Sequence, residues 1–346
     1  MLSDADRARE IKRRKGAGAL EIPKSYPDER LIAMETVGET LYLFSQHNIF
    51  RVRTADEIDP EVTQVGVPWA VNPYLSIGTK NSLIAGSFGV LRQTDKAGID
   101  AGAKDKILCF LMEFAVSAAE LEYAREIYEG EVDRLQSDEG AQPLLVKSAI
   151  QMPRITAFEI SFSIFFSAAK RCVGKLMAVL EWAAFFPVTN GSRLDKFCHK
   201  AKKSKKLSDH HHLIDRIEGF SEAVRLLNEI RNAFEHPGSD RNVVLKNIEL
   251  LPSGNFRMPT FTLVHDELNL TPDQDYGAHV VAAMRMISGL AELVVMVASA
   301  MRGQTMLAWE GSLREPSSID PDFPTRWIVN VGLPEKVVST LAENKG

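Results

Sequence analysis

The segment Leu226-Leu227-Asn228-Glu229-Ile230-Arg231-Asn232-Ala233-Phe234-Glu235-His236-Pro237 places an Arg-Asn pair and a histidine at the closing turn of an apolar helix. Upstream, Leu213, Ile217, Phe220, Val224 and Leu227 recur at spacings of three and four, so the spacing predicts one helix with a continuous apolar stripe. Continued, that stripe runs into Arg231. A guanidinium on a buried stripe needs a partner or a cavity, because desolvating it unpaired is costly. Glu235, four residues on, is the candidate partner. His236 stands directly before Pro237 and Gly238, and a residue preceding proline is pushed out of the helical region, so the helix is expected to end at about His236. The imidazole then lies among unpaired terminal carbonyls, where the helix dipole favours the charged ring, a placement that suits an acid or base.

The run Arg231-Asn232-Ala233-Phe234-Glu235-His236 resembles the Arg-x(4–6)-His signature of the HEPN superfamily, in the form with Asn directly after Arg. The apolar helix before it and the Pro-Gly after it extend the likeness. The resemblance implies a bundle of about four or five helices that dimerises around the motif, and a metal-independent endoribonuclease. It also implies a place in toxin–antitoxin, abortive-infection or CRISPR defence, with an antitoxin or regulatory protein as possible partner. Family toxins partnered by nucleotidyltransferase antitoxins often carry Tyr two residues after the His; here that position is Gly238, so regulation through such a Tyr is not supported. The plainer alternative is an Arg231–Glu235 helix pair with His236 as a cap.

At 346 residues the chain has room for one large domain with additions, or two. Hydrophobic residues at 45% and charged ones at 25% argue against disorder. A net charge of -5 excludes a generally basic nucleic-acid coat, so any RNA contact must come from a local patch. The one basic run, Lys196 to Lys206, supplies it, and Lys200, Lys202, Lys203, Lys205 and Lys206 are the candidate RNA-binding residues on what reads as a solvated loop. Cys109, Cys172 and Cys198, odd in number and without paired spacing, point to a reducing compartment and to core filling. No secretory signal opens the chain, and the apolar stretch near Met286–Met301 holds Glu292, which fits a buried helix better than a membrane span. The expectation is a cytoplasmic protein with no membrane partner.

Along the chain, Ser3–Lys15 reads as a short basic helix or tail, and Glu39–Arg53 as a hairpin around Gln46-His47-Asn48. Ser82–Leu91 reads as a helix leading into the main domain. Long helices are predicted over about Ala103–Leu135, Pro153–Phe186 and Tyr276–Met301, with a second hairpin, Val243–Leu251 and Arg257–Val264, inserted after the motif. A short helix is expected over Pro334–Glu343. The fold class expected is therefore mainly α: a HEPN-like bundle of four to five long helices with an inserted β-hairpin. The expected division is a small α+β region over 1–100, the helical domain over 101–310 and an extension over 311–346.

Metal-free RNA cleavage needs a base for the 2′-hydroxyl proton, a positive charge on the phosphorane oxygens and an acid for the leaving oxygen. His236 and Arg231 are of these types, Asn232 can orient the ring or hold a phosphate oxygen, and Glu235 restrains Arg231 as a supporting residue. On one helix, residues five apart diverge by about 140°. A two-fold homodimer around the motif is therefore expected, with RNA as substrate. His210-His211-His212 point in different directions on a helix, so no metal site and no cofactor are expected. No Gly-rich phosphate loop, Gly-x-Ser-x-Gly elbow or His-Glu-x-x-His is present. The reading from a different class is a non-catalytic helical dimer that binds RNA, nucleotide or a protein.

Overall fold

The computed structural model describes residues 26–58, 69–96, 99–137, 144–146, 149–151, 153–189, 193–253, 255–268, 270–302, 308–313 and 327–332. The expected helices at Ser3–Lys15 and Pro334–Glu343 lie outside them.

The first element of the described residues is a four-stranded antiparallel sheet, β1 (Leu31–Val37), β2 (Thr40–Ser45), β3 (Ile49–Arg53) and β4 (Ala70–Leu75), in sequential order. The β2–β3 turn is pinned locally: the Ser45 hydroxyl donates to the Asn48 carbonyl at 2.8 Å, and the Asn48 amide donates to Glu29 at 2.6 Å. This turn is fastened to the helical body at Gly78, where Thr79 and Lys80 donate their N–H groups to the Ser45 and Gln46 carbonyls, each at 2.9 Å. A Cβ on Gly78 would stand 2.5 Å from the Ser45 carbonyl oxygen and 2.6 Å from the Gln46 carbonyl carbon. Those atoms are backbone and cannot swing aside. Gly78→Ala is therefore expected to cost about 1–3 kcal/mol, read as a lower urea midpoint; an unchanged midpoint would show that the turn yields freely.

Next come α1 (Ser82–Lys96), α2 (Ala101–Ser137) and, after the small hairpin β5 (Leu144–Val146) and β6 (Ala149–Gln151), α3 (Phe158–Ala183). Helix α2 runs antiparallel to α3, as the pairs Ala124–Ser161, Glu120–Arg171 and Glu113–Lys175 show. Then follow α4 (Leu194–Lys203), a 3-10 turn (Lys205–His210), α5 (His211–Glu218) and α6 (Ser221–Glu235). Strands β7 (Arg241–Lys246) and β10 (Thr260–His265), with the two-residue β11 (Gln274–Asp275), form a three-stranded sheet in the order β11-β10-β7. The two-residue strands β8 (Glu249–Leu250) and β9 (Phe256–Arg257) make a small hairpin within the β7–β10 connection. Helix α7 (Tyr276–Arg302) closes the body, and β12 (Ala308–Leu313) pairs with β13 (Trp327–Gly332). One core joins Phe44 and Ile49 of the sheet to residues of every helix from α1 to α7.

Helix α7 packs along α1, where Gly86 makes room for the buried Glu292 carboxylate: a Cβ there would fall 2.5 Å from that side chain. Among the described residues α7 is the one helix long and apolar enough to cross a membrane; 72% of its most apolar window is buried in the protein. Tyr276 at its start meets Phe162 of α3, and Phe162 also meets Phe158, Phe166, Phe234 and Phe261. That aromatic knot ties α3, α6, α7 and β10 together behind the motif.

The architecture is mixed α+β, not the mainly α bundle of four to five long helices expected. Several physical causes separate the two. Strand β1 buries only Ala33, so it lacks a clean alternation. Strand β4 contains Pro73, which reads as a loop residue but is tolerated because β4 is an edge strand. The motif helix is not continuous: Gly219 stops α5, and α6 restarts after Phe220, although the stripe residues Leu213, Ile217, Val224 and Leu227 remain buried on both pieces. The basic run is not a loop either. Leu194, Phe197, Cys198 and Ala201 recur at helical spacing and are buried, so most of it is α4.

Helix α3 ends in a Schellman arrangement: Phe185 donates its N–H to the Trp182 carbonyl and Phe186 to the Glu181 carbonyl. The left-handed position, φ 59°, is occupied by Phe185, where Gly is usual. For a residue with a Cβ this conformation costs about 1–2 kcal/mol.

Candidate functional site

Helix α6 ends at Glu235, and the His236 N–H closes the last turn on the Asn232 carbonyl at 2.9 Å. His236 itself has left the helical region, with φ -132° and ψ 64°, and is exposed. Arg231 is half-buried and pairs with Glu235, the partner its spacing indicates. Its guanidinium also donates to the Asn232 side-chain carbonyl at 3.4 Å.

Two residues of α3 complete the network, and the motif gave no sign of either. Ser167 donates its hydroxyl to Glu235 at 2.7 Å, and the Lys170 ammonium donates to the Asn232 side-chain oxygen at 3.1 Å. Burial first, then the adjacent Arg231 charge, holds the Lys170 ammonium below its ordinary pKa. A signal for them exists in the sequence. Ser167, Lys170, Arg171, Gly174 and Lys175 are a polar stripe at helical spacing in an otherwise apolar helix.

That stripe lines a groove of about 500 Å³ between α3 and α6, with Arg231 and Glu235 on its far wall and Ala178 and Thr189 at one end. Four cations face it: Lys170, Arg171, Lys175 and Arg231. Arg171 and Lys175 are tethered to Glu120 and Glu113 of α2. A second cavity of about 350 Å³ lies on the other side of Lys170 and contains Asn232, Asn228, Arg193 and Glu229. Helix α6 thus shows Arg231 to one cavity and Asn232 to the other, with Lys170 on the wall they share. His236 lines neither. Within one chain the Arg231, Asn232 and Glu235 side chains come together; among the described residues the His236 imidazole makes no hydrogen bond or ion pair with them.

The lysine candidates divide. Lys202 is held by Asp215 at 2.7 Å and Glu218 at 2.5 Å, and those two hydrogen bonds raise its pKa. It is a structural tie between α4 and α5. Lys200, Lys203, Lys205 and Lys206 are exposed. Lys200 lies over the Phe186 ring, 4.1 Å from its centroid. His210 is pushed below its usual pKa by burial, and among the described residues no group of three or more His, Cys, Asp or Glu is placed to hold a metal ion.

Comparison with known protein families, with curated proteins and with solved structures finds no match to this chain.

Proposed function

We propose that the chain is a metal-independent endoribonuclease acting on single-stranded RNA in the cytoplasm, in stress response or phage defence, and that its site is shared by two copies. The observation that carries this reading is the basic groove itself: Arg231 and Lys170 reach Asn232 from two helices, with Arg171 and Lys175 beside them. Such a cluster fits the phosphates of a strand rather than a neutral ligand. Arg231 neutralises the phosphorane oxygens, and His236 takes the 2′-hydroxyl proton. The 2′-oxygen bonds to phosphorus, the bond to the 5′-oxygen breaks, and that oxygen takes up a proton. The products are a 2′,3′-cyclic phosphate and a 5′-hydroxyl.

Because His236 lines neither cavity of its own chain, the groove receives it from a second copy. Strand β7 supports that arrangement. It begins five residues after His236, lies at the edge of its sheet and carries exposed Val244, with exposed Val264 on the same face. An apolar edge strand is a ready pairing surface, and two-fold pairing there brings both motif helix ends to one axis. Mixing Arg231→Ala subunits with His236→Ala subunits is expected to restore cleavage that each lacks alone. A light-scattering monomer that still cleaves RNA would exclude the shared site.

The second reading, an RNA-binding dimer without catalysis, is favoured by one observation: Arg231 is already engaged by Glu235 and Asn232. Incubating the protein with mixed RNA in EDTA separates the two. Binding without strand scission supports the second.

A further inference from the structure

At the C-terminal end of α3, cationic and aromatic side chains alternate across the surface. The Lys106 ammonium stands 5.0 Å from the Phe110 ring centroid, and Phe110 lies 6.2 Å from Trp182. The Arg302 guanidinium stacks 4.3 Å from the Trp182 ring and 3.6 Å from Phe185. Lys200 of α4 covers Phe186. None of Lys106, Lys200 and Arg302 has a carboxylate partner among the described residues; rings, and for Arg302 the Trp182 carbonyl, hold them. The Nε of Arg302 is buried and has no acceptor among the described residues. Burial accordingly pushes the Arg302 pKa down.

Phe185 is the informative residue. It is 62% exposed, so it contributes little to the core, and it occupies the left-handed helix-ending position where Gly is the favourable residue. Neither burial nor backbone conformation accounts for a phenylalanine there, and the Arg302 guanidinium occupies one face of its ring only. A ring offered to a ligand does. The segment that carries it is fixed, since both Thr189 polar groups donate to the Glu181 carboxylate.

Aromatic rings interleaved with positive charges are what a flexible single strand of nucleic acid requires: bases stack on the ring faces that the cations leave open, and the cations meet the phosphates. We infer that Phe185, with Trp182, Phe186, Arg302 and Lys200, forms a stacking ledge for unpaired nucleotides at the mouth of the α3–α6 groove. Arg171, Lys175, Ala178 and Trp182 follow one another at helical spacing along α3, and both Ala178 and Thr189 line the groove. The ledge therefore continues the line of the groove cations, beginning at Trp182 about 10 Å beyond Lys175 at 1.5 Å per residue. This inference rests on the proposed ribonuclease reading for the identity of the strand, RNA; the stacking geometry stands apart from cleavage.

The test is binding of uncleavable strands to the full chain by fluorescence anisotropy, using a 2′-O-methyl oligouridylate and an oligothymidylate. Because neither can be cut, a failure of the ribonuclease reading leaves the measurement intact. Phe185→Gly is expected to weaken binding roughly 5- to 100-fold, the range for loss of one stacking partner. Its melting temperature should equal or exceed that of the wild type, since Gly relieves the left-handed position. Phe185→Tyr should retain binding. Preference for the 2′-O-methyl strand identifies RNA as the ligand; equal binding of both identifies any single strand. Wild-type affinity in a folded Phe185→Gly protein overturns the ledge, as does equal competition by inorganic polyphosphate, which has charge and no bases. Failure of the wild type to bind either strand also overturns it and turns the surface over to a protein partner.

Discussion

Purified protein is expected to cut single-stranded RNA in the presence of chelator, and His236→Ala to lower the rate by about 10²–10⁴-fold, the usual contribution of a positioned acid or base. His236 is exposed beyond the end of α6, and among the described residues its one hydrogen bond is through its backbone N–H, which alanine retains. Substituting it should therefore leave the melting temperature where it was. That separation of rate from stability is what makes the variant informative. Arg231→Ala behaves differently, because it leaves Glu235 half-buried with only Ser167, and Lys170 with one fewer neighbouring charge. A loss of activity in that variant has to be read beside its stability. Undiminished cleavage by folded His236→Ala protein would take the imidazole out of the chemistry.

Phe162→Ala is expected to destabilise the protein by about 3–5 kcal/mol, the range for removing a large aromatic side chain from a core. Phe162 is fully buried and meets five rings on α3, α6, α7 and β10. One of them, Phe234, stands between Arg231 and His236 in sequence and is held 5.1 Å from Phe162. The cavity therefore opens directly behind the motif, and α6 loses its main lateral support. Amide exchange should rise along α6 and β10 ahead of β1–β3, whose Leu43, Phe50 and Val52 form a separate small cluster. A loss of less than about 1 kcal/mol, far below the range for an aromatic truncation, would mean that neighbouring rings collapse into the space and that Phe162 is not what holds α6 in place.

Local chemistry was legible in the sequence where one residue type dictates one outcome. Pro237 ended the helix at Glu235, the spacing of four paired Arg231 with Glu235, and the β-favouring runs on either side of Gln46-His47-Asn48 made a hairpin. Long periodic segments were also legible: α2, α3 and α7 stand where their apolar faces placed them, with ends shifted by a few residues. Less visible was anything that depends on a distant partner. Strands β1 and β4 exist because β2 and β3 lie between them, and neither has a sufficient pattern of its own. Lys202 is identical in type to Lys203, yet Asp215 and Glu218 of another helix remove it from the basic patch. Lys170 and Ser167 join the motif from about sixty residues away in the chain, and Phe185 gains meaning only from its left-handed backbone and the Arg302 that stacks on it. Short-range sterics and hydrogen bonding act within a few residues and can be read in order along the chain. Which polar groups share a groove is fixed by packing between elements far apart in sequence, and that the tertiary structure alone decided.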